Sequence, residues 1–343
     1  MSTDSESNRP GAATASGQAI SSPIAETGAC RCRVCGYEPA SVGDRDVGTA
    51  RGNTRRFAKE TYRLWKCPRC QSIHNVDPVD FADIYSDYPL NKRKLDVFAR
   101  GTLRNLLARL ERAGLRKEDS ILDYGCGNGV FLQFLREKGY TRVAGYDPFV
   151  AEFSSLPAGP FDCVVANDLI EHVPDPRGTI AECAAKVRPG GLLYVGTADS
   201  EPVVMDDLEP HIMRLHQPFH RVIVTAKGLE RLAGETGLAP VAAYRRSYMD
   251  TLLPFSNYRF LDELNKTLGH DLDAALDPSS AGVVMRTPRL WFFALFGFFF
   301  PSADEPAVVL RRPAVGSDEA PAGPARGSSS SRPERPPPSR GIS

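Results

Sequence analysis

The chain has 343 residues, of which 42% are hydrophobic and 24% charged, a balance that excludes a disordered or fibrous polymer and allows two domains with a buried core. Its 42 Lys and Arg match its 42 Asp and Glu, so the whole-chain charge offers no general attraction for nucleic acid or anionic lipid. The opening stretch carries acidic and small polar residues and no apolar run, which speaks against a secretory or Arg-rich transit segment and predicts a cytoplasmic protein.

Residues 1–28 are rich in Ser, Ala, Gly and Thr, and residues 313–343 in Pro and Ser. Both compositions bury too little apolar surface to offset the entropy of ordering, so both stretches are predicted to be disordered tails. Between them, residues 29–80 hold five of the eight cysteines in two close groups. Cys32-Arg-Val-Cys35 and Cys67-Pro-Arg-Cys70 each present two thiolates, and together they fill a tetrahedral Zn²⁺ site with sulfur. Such a closed site is structural, because no coordination position is left for water or substrate. Cys30 and, more weakly, His74 are spare ligands, and Gln71 stands where a Gly often follows the second knuckle.

Residues 81–312 read as one larger domain. The apolar spacing of 92–113, which puts Leu95, Phe98, Ala99, Leu103, Leu106, Leu107 and Leu110 on one face, predicts a helix. Strands are then predicted at 120–124, 142–147, 161–166, 191–196 and 239–245, with helices at 129–138, 176–187 and 226–235 between them. Asp175-Pro176 and Thr225 open the last two helices. This alternation predicts an α/β fold with a doubly wound, Rossmann-like and mostly parallel sheet. A further strand at 307–311 follows the interval 248–304, a candidate substrate cap. Within it the apolar run 290–300 is too short to span a bilayer as a helix, and is expected to be buried or to make peripheral membrane contact.

The sharpest motif is Ile121-Leu-Asp-Tyr-Gly-Cys-Gly-Asn-Gly-Val130, a strand that ends on Asp123 and runs into Gly125, Gly127 and Gly129. Glycines there let the backbone turn tightly and approach a ligand at a helix N-terminus. Asp147 ends the next strand, where a Rossmann arrangement places a carboxylate on ribose hydroxyls. These residues, with Phe161 to Pro176 and Arg188-Pro-Gly-Gly191, resemble the class I S-adenosylmethionine (SAM)-dependent methyltransferases. The resemblance implies that Asp123, Gly125 and Gly127 hold the methionine end of SAM, that Asp147 holds the ribose, and that Asn167, Asp168 and Leu169 flank the sulfonium. It also implies that the strands at 239 and 307 form an antiparallel terminal hairpin. Only thirteen residues separate Asp147 from Phe161, so the family's third strand is expected to be short or absent and no residue is assigned to adenine.

SAM carries the reactivity of methyl transfer, and the protein aligns the acceptor and excludes water. A general base serves an acceptor that carries a proton; the candidates are His172 and Glu171 after the fourth strand, and His220, with His216, in Leu215-His-Gln-Pro-Phe-His220. A bracing role for His172 and loop packing for His216 and His220 are the alternatives. The order of cysteine module, Ile84 to Pro89 segment and methyltransferase core is similar to bacterial enzymes that methylate sugars and other secondary metabolites, including nucleotide-sugar C-methyltransferases. The expected acceptor is therefore a small molecule rather than nucleic acid. Two other readings stay open: an RNA methyltransferase whose zinc ribbon uses the basic residues around the knuckles, and a non-catalytic scaffold that keeps the SAM fold.

Overall fold

The computed structural model describes residues 30–301 and 304–314, and the two predicted tails lie outside them except for positions 313 and 314. In chain order the strands are β1 Val47–Arg51, β2 Thr61–Lys66, β3 Ile73–Asn75, β4 Ile121–Tyr124, β5 Val143–Tyr146, β6 Phe161–Asn167, β7 Val187–Gly196, β8 Val222–Ile223, β9 Ala239–Arg246 and β10 Asp304–Arg311. The α-helices are α1 Phe81–Tyr85, α2 Val97–Arg112, α3 Val130–Glu137, α4 Pro176–Ala185, α5 Ile212–Leu215, α6 Ala226–Gly234, α7 Tyr258–Thr267, α8 Leu272–Leu276, α9 Ala281–Arg286 and α10 Pro288–Phe296.

Six strands make the main sheet in the order β5-β4-β6-β7-β10-β9. The first four run parallel, and β10 lies antiparallel between β7 and β9, so the sheet is the predicted Rossmann-like one with its antiparallel terminal hairpin. Successive residues alternate between its two faces. Leu122, Val164, Leu193 and Val308 pack with Ile180 of α4 and Leu229 of α6 on one side; Ile121, Val165, Tyr194 and Val309 pack with Leu106 of α2 and Phe134 of α3 on the other. Asp175 and Thr225 cap α4 and α6 as their sequence positions predict, accepting from Gly178 N and Gly228 N.

One expectation changes. The helix predicted from residue 92 starts at Val97, because the Asp96 side chain accepts from Ala99 N and fixes the helix start there; the residues before it form a short 3-10 turn, and Phe98 points to solvent. The third strand is absent, as the thirteen-residue gap predicts: Ala151–Phe153 is a single 3-10 turn, and β5 forms the sheet edge. The cysteine segment packs against the larger domain. Its strands form a second, antiparallel sheet, β1-β2-β3-β8, completed by a strand from beyond residue 220. Cys32, Cys35, Trp65 and Cys67 belong to the same apolar core as Val222, Leu229 and the main sheet.

The 248–304 interval folds as α7 to α10. Leu290, Phe293 and Ala294 of α10 bury against Phe260 and Leu264 of α7. Trp291, Phe292, Leu295 and Phe296 face solvent with Phe299, which is 75% exposed, and Phe300. Among the described residues, no helix is long and apolar enough to cross a membrane.

Candidate active site

A cavity of about 340 Å³ opens at the C-terminal ends of β4, β5 and β6, where a parallel α/β sheet leaves its ligand crevice. The volume lies within the range of small-ligand sites, about 300–1,000 Å³. Asp123, Gly125, Gly127, Asp147, Asn167, Asp168 and Leu169 all line it, so every residue the sequence places on the cofactor comes to one wall.

The local geometry explains these residue types. Gly125 has φ 84°, and a Cβ there would stand 2.7 Å from Leu169 Cδ1. Only glycine allows both the left-handed turn and that approach. Asp147 clasps the loop, its carboxylate accepting from Gly127 N at 3.0 Å and from Phe149 N at 2.9 Å. Asp123 is buried at the strand end, and burial, helped by the negative charge of Asp147, pushes its carboxyl up to about 7. Asn167 keeps a buried Oδ1 without a hydrogen-bond partner at the cavity wall. A buried acceptor left open in a cavity fits a ligand that donates to it.

Asp168 is held in the left-handed region, φ 51°, its amide donating to Gly196 O at 2.9 Å. Its Oδ2 accepts from Asn167 Nδ2 at 3.0 Å and from the Tyr248 hydroxyl at 2.9 Å. Burial raises the Asp168 carboxyl, opposed by that hydroxyl and by the positive charge of Arg93. Tyr248 and Arg93 both line the cavity and were not legible as site residues. Tyr248 follows a predicted strand into an unassigned insertion. Arg93 lies where a helix was expected; instead Asn128 donates to the carbonyls of Asn91 and Arg93 at 2.8 and 2.7 Å and straps that segment over the glycine loop.

Beside the same cavity the candidate bases come together. The rings of His172 and His220 are 4.7 Å apart centre to centre, and those of His216 and His220 are 5.0 Å apart. Tyr85 reaches His172 Nδ1 at 2.8 Å, and Tyr88 reaches His216 Nε2 at 3.1 Å. His216 Nδ1 meets Asn53 Oδ1 at 2.8 Å and His220 Nδ1 donates to Arg214 O at 2.8 Å. Burial drives His220 down to about 4 and holds His172 and His216 well below the usual imidazole range, so all three are neutral at pH 7. Glu171 is buried and receives the Thr197 hydroxyl at 2.7 Å; burial, and then the charge of Asp168, lifts it to about 8. His172 lines the cavity with Tyr85 and Tyr88, whereas Glu171, His216 and His220 stand behind it.

The four knuckle cysteines also meet. Cys32 and Cys70 Sγ are 3.4 Å apart, Cys35 and Cys67 Sγ 3.7 Å, and all four lie within 4.8 Å of one another. Zinc–sulfur bonds of about 2.3 Å at tetrahedral angles put sulfurs about 3.8 Å apart, so the donor set fits Zn²⁺. Cys30 and His74 stay outside; His74 stacks on Trp65 instead, at 5.3 Å. The knuckles turn alike: Gly36 N donates to Cys32 O and Gln71 N to Cys67 O, with Gly36 at φ 71° and Gln71 at φ 62°.

Comparisons with known proteins give the following similarities. The ubiquinone biosynthesis O-methyltransferase of Escherichia coli is 30% identical over a stretch covering 25% of this chain and 46% of that protein, and its Shigella boydii counterpart matches equally. The chain thus spans about half the length of the curated relatives it matches. Among solved structures, phosphoethanolamine N-methyltransferase 2 of Haemonchus contortus, in complex with SAM, is 14% identical with a TM-score of 0.42, covering 80% of this chain and 70% of its own. The Mycobacterium tuberculosis cyclopropane synthase is 16% identical with a TM-score of 0.39, covering 60% and 84%. Residues 95–243, which include the glycine loop, Asp147 and the Glu171-His172 pair, match the family described as a methyltransferase domain.

Proposed function

We propose that this protein transfers a methyl group from SAM to a small-molecule acceptor of the sugar or secondary-metabolite class. The observation that carries the reading is one cavity lined both by the glycine loop with Asp123 and Asp147 and by Tyr85, Tyr88 and His172. The glycine loop, Asp123, Asp147 and the open Asn167 Oδ1 suit a polar nucleoside, and Arg93 suits its carboxylate. Tyr85, Tyr88 and His172 suit the acceptor. SAM supplies an activated methyl group on sulfur. Asp123 and Asp147 would fix the amino and ribose groups, Asp168 and Leu169 would border the sulfonium, and the aromatic wall would keep water out. Glu171, His172 and His220 form the side on which an acceptor proton is received. Zn²⁺ on Cys32, Cys35, Cys67 and Cys70 is structural and holds the second sheet in place.

Calorimetric titration of the zinc-loaded protein with SAM and with S-adenosylhomocysteine tests this directly. Micromolar binding is expected, weakened about tenfold or more in Asp147→Ala, a change of about 1.4 kcal/mol. A folded, zinc-loaded protein that binds neither ligand would sink the assignment and favour the scaffold reading. The RNA reading draws less support, because Arg31, Arg51, Arg56 and Arg63 near the knuckles are each paired with a carboxylate of this chain.

One surface favours an added property. The exposed aromatic face of α10 continues into Phe299 and Phe300 beside Arg286 and Arg289, the composition of an interfacial contact. The full chain is expected to float with anionic liposomes, and Phe296→Ser with Phe299→Ser to abolish this; no flotation of the parent protein removes the membrane contact.

A further inference from the structure

Glu171, His172 and His220 each offer one ligand atom, and those atoms all lie within 4.8 Å of one another. The donors come from two chain segments that are locked together: Glu171 O accepts from Arg221 N at 2.6 Å and from Val222 N at 3.2 Å. Each donor also has its other side occupied. The Arg214 carbonyl can only accept, so His220 carries its proton on Nδ1 and its lone pair on Nε2. Tyr85 engages His172 Nδ1, so an ion must take Nε2 from its contact with the Phe219 carbonyl. Thr197 holds Glu171 Oε2, and the backbone amides of Glu171 and Ala198 also donate to this carboxylate. A carbonyl or hydroxyl on the far nitrogen of each histidine and a hydroxyl on the carboxylate are the outer contacts that orient metal ligands.

We infer that this wall is a second metal site, distinct from the four-cysteine cluster, that takes one divalent first-row transition ion on Glu171, His172 and His220. The inference rests on the proposed methyl transfer for its role, since the site borders the acceptor side of the same cavity through His172. Two imidazoles and one carboxylate favour Mn²⁺, Fe²⁺, Co²⁺ or Zn²⁺ over Mg²⁺. Bonds of about 2.0–2.2 Å require the three donors to draw together by a few tenths of an ångström to about one ångström, and the ion displaces the contact that His172 makes with the Phe219 carbonyl. Three ligands leave coordination positions open for an acceptor oxygen. An ion held by these residues would polarise an acceptor hydroxyl; with the three side chains committed as ligands, the acceptor proton would pass to solvent water rather than to them, as the acceptor oxygen bonds the methyl carbon and the carbon–sulfur bond breaks with its electron pair left on sulfur.

His216 is not a ligand. Its two nitrogens are committed to Asn53 and Tyr88.

The test is titration of the full, zinc-loaded chain with Mn²⁺ alone, followed by loss of the free-ion electron paramagnetic resonance signal. Thiolates prefer Zn²⁺, so the cysteine site stays loaded. One Mn²⁺ per chain is expected, weakened at least tenfold in His220→Gln and in Glu171→Gln at unchanged zinc content. A wild-type readout guards against variants that misfold: substoichiometric Mn²⁺ is expected to broaden the ring resonances of His172, His216 and His220 and spare His211 and His270. No second ion taken up at millimolar Mn²⁺ or Co²⁺, or broadening confined to His211 and His270, overturns the site. SAM calorimetry on the metal-free second site separates this from the function itself: intact SAM binding with no Mn²⁺ uptake defeats only the metal, whereas absent SAM binding defeats the methyl transfer.

Discussion

The two walls of the cavity are built in different ways. The cofactor wall is local: Asp123, Gly125 and Gly127 follow one strand, Asp147 the next and Asn167 to Leu169 the third, all at C-terminal strand ends of one sheet. The acceptor wall is assembled from afar. Tyr85 and Tyr88 precede the sheet, His172 lies on it, His216 and His220 come more than forty residues later, and Asn53, which holds His216, lies in the cysteine segment. A wall built from strand ends survives wherever the sheet forms. A wall gathered by packing depends on whatever brings its parts together, and here that is the second sheet, where β3 pairs with β8 directly after His220.

The strongest way to break this contrast is to remove the metal that organises the second sheet. A structural Zn²⁺ supplies about 10 kcal/mol or more of folding free energy. Cys67→Ser is expected to lose zinc and to lower acceptor turnover more than a hundredfold, while the SAM dissociation constant moves by less than about tenfold. Turnover and SAM affinity falling together would show that the two walls are one cooperative unit, as the shared apolar core of Cys67 and Leu122 allows.

How far the sequence could be read follows the same line. The strand rhythm, the caps at Asp175 and Thr225, the glycine loop and Asp147 each act within a few residues, so their meaning is printed in short motifs. The missing third strand was legible for the same reason, as a thirteen-residue gap. The start of α2 was misjudged because apolar spacing ran through Leu95 and Phe98, whereas one Asp96 side chain on Ala99 N decides the helix start. The union of the cysteine segment with the main core, and the roles of Arg93, Tyr85 and Tyr248, were not legible. They arise from contacts between residues 35 or more positions apart, such as Asn128 to Arg93, Tyr248 to Asp168 and Tyr85 to His172, and no short motif encodes those.

A middle-sized effect sharpens the cofactor side alone. Asp123, raised to about 7 by burial beside Asp147, holds its proton from its ordinary range near 4 up to neutrality. Only the deprotonated form attracts the positive charges of SAM. SAM binding is therefore expected to tighten as pH rises through 7, by about tenfold between pH 6 and pH 8 for a single such carboxyl. Asp123→Asn is expected to bind more weakly and without that pH dependence. An unchanged slope in the variant would move the titration to another group.

The smallest effect sits at Gln71, and it isolates stability from both walls. At φ 62° this residue occupies the conformation that Gly36 takes in the first knuckle, and a side chain there costs about 1–2 kcal/mol. Its side-chain bond from Nε2 to Pro68 O at 3.1 Å returns part of that cost, and glycine adds freedom to the unfolded chain worth up to about 1 kcal/mol. Gln71→Gly should therefore stabilise by roughly 0.5 kcal/mol, a rise of about 1–2 °C in the thermal midpoint of the zinc-loaded protein. The backbone contacts of this position, Gln71 N to Cys67 O and Ser200 Oγ to Gln71 O, need no side chain and persist in the variant. SAM affinity and acceptor turnover should then stay as they were. A midpoint that falls instead would mean that the Gln71 amide, reaching Pro68, holds the second knuckle more firmly than the backbone strain loosens it.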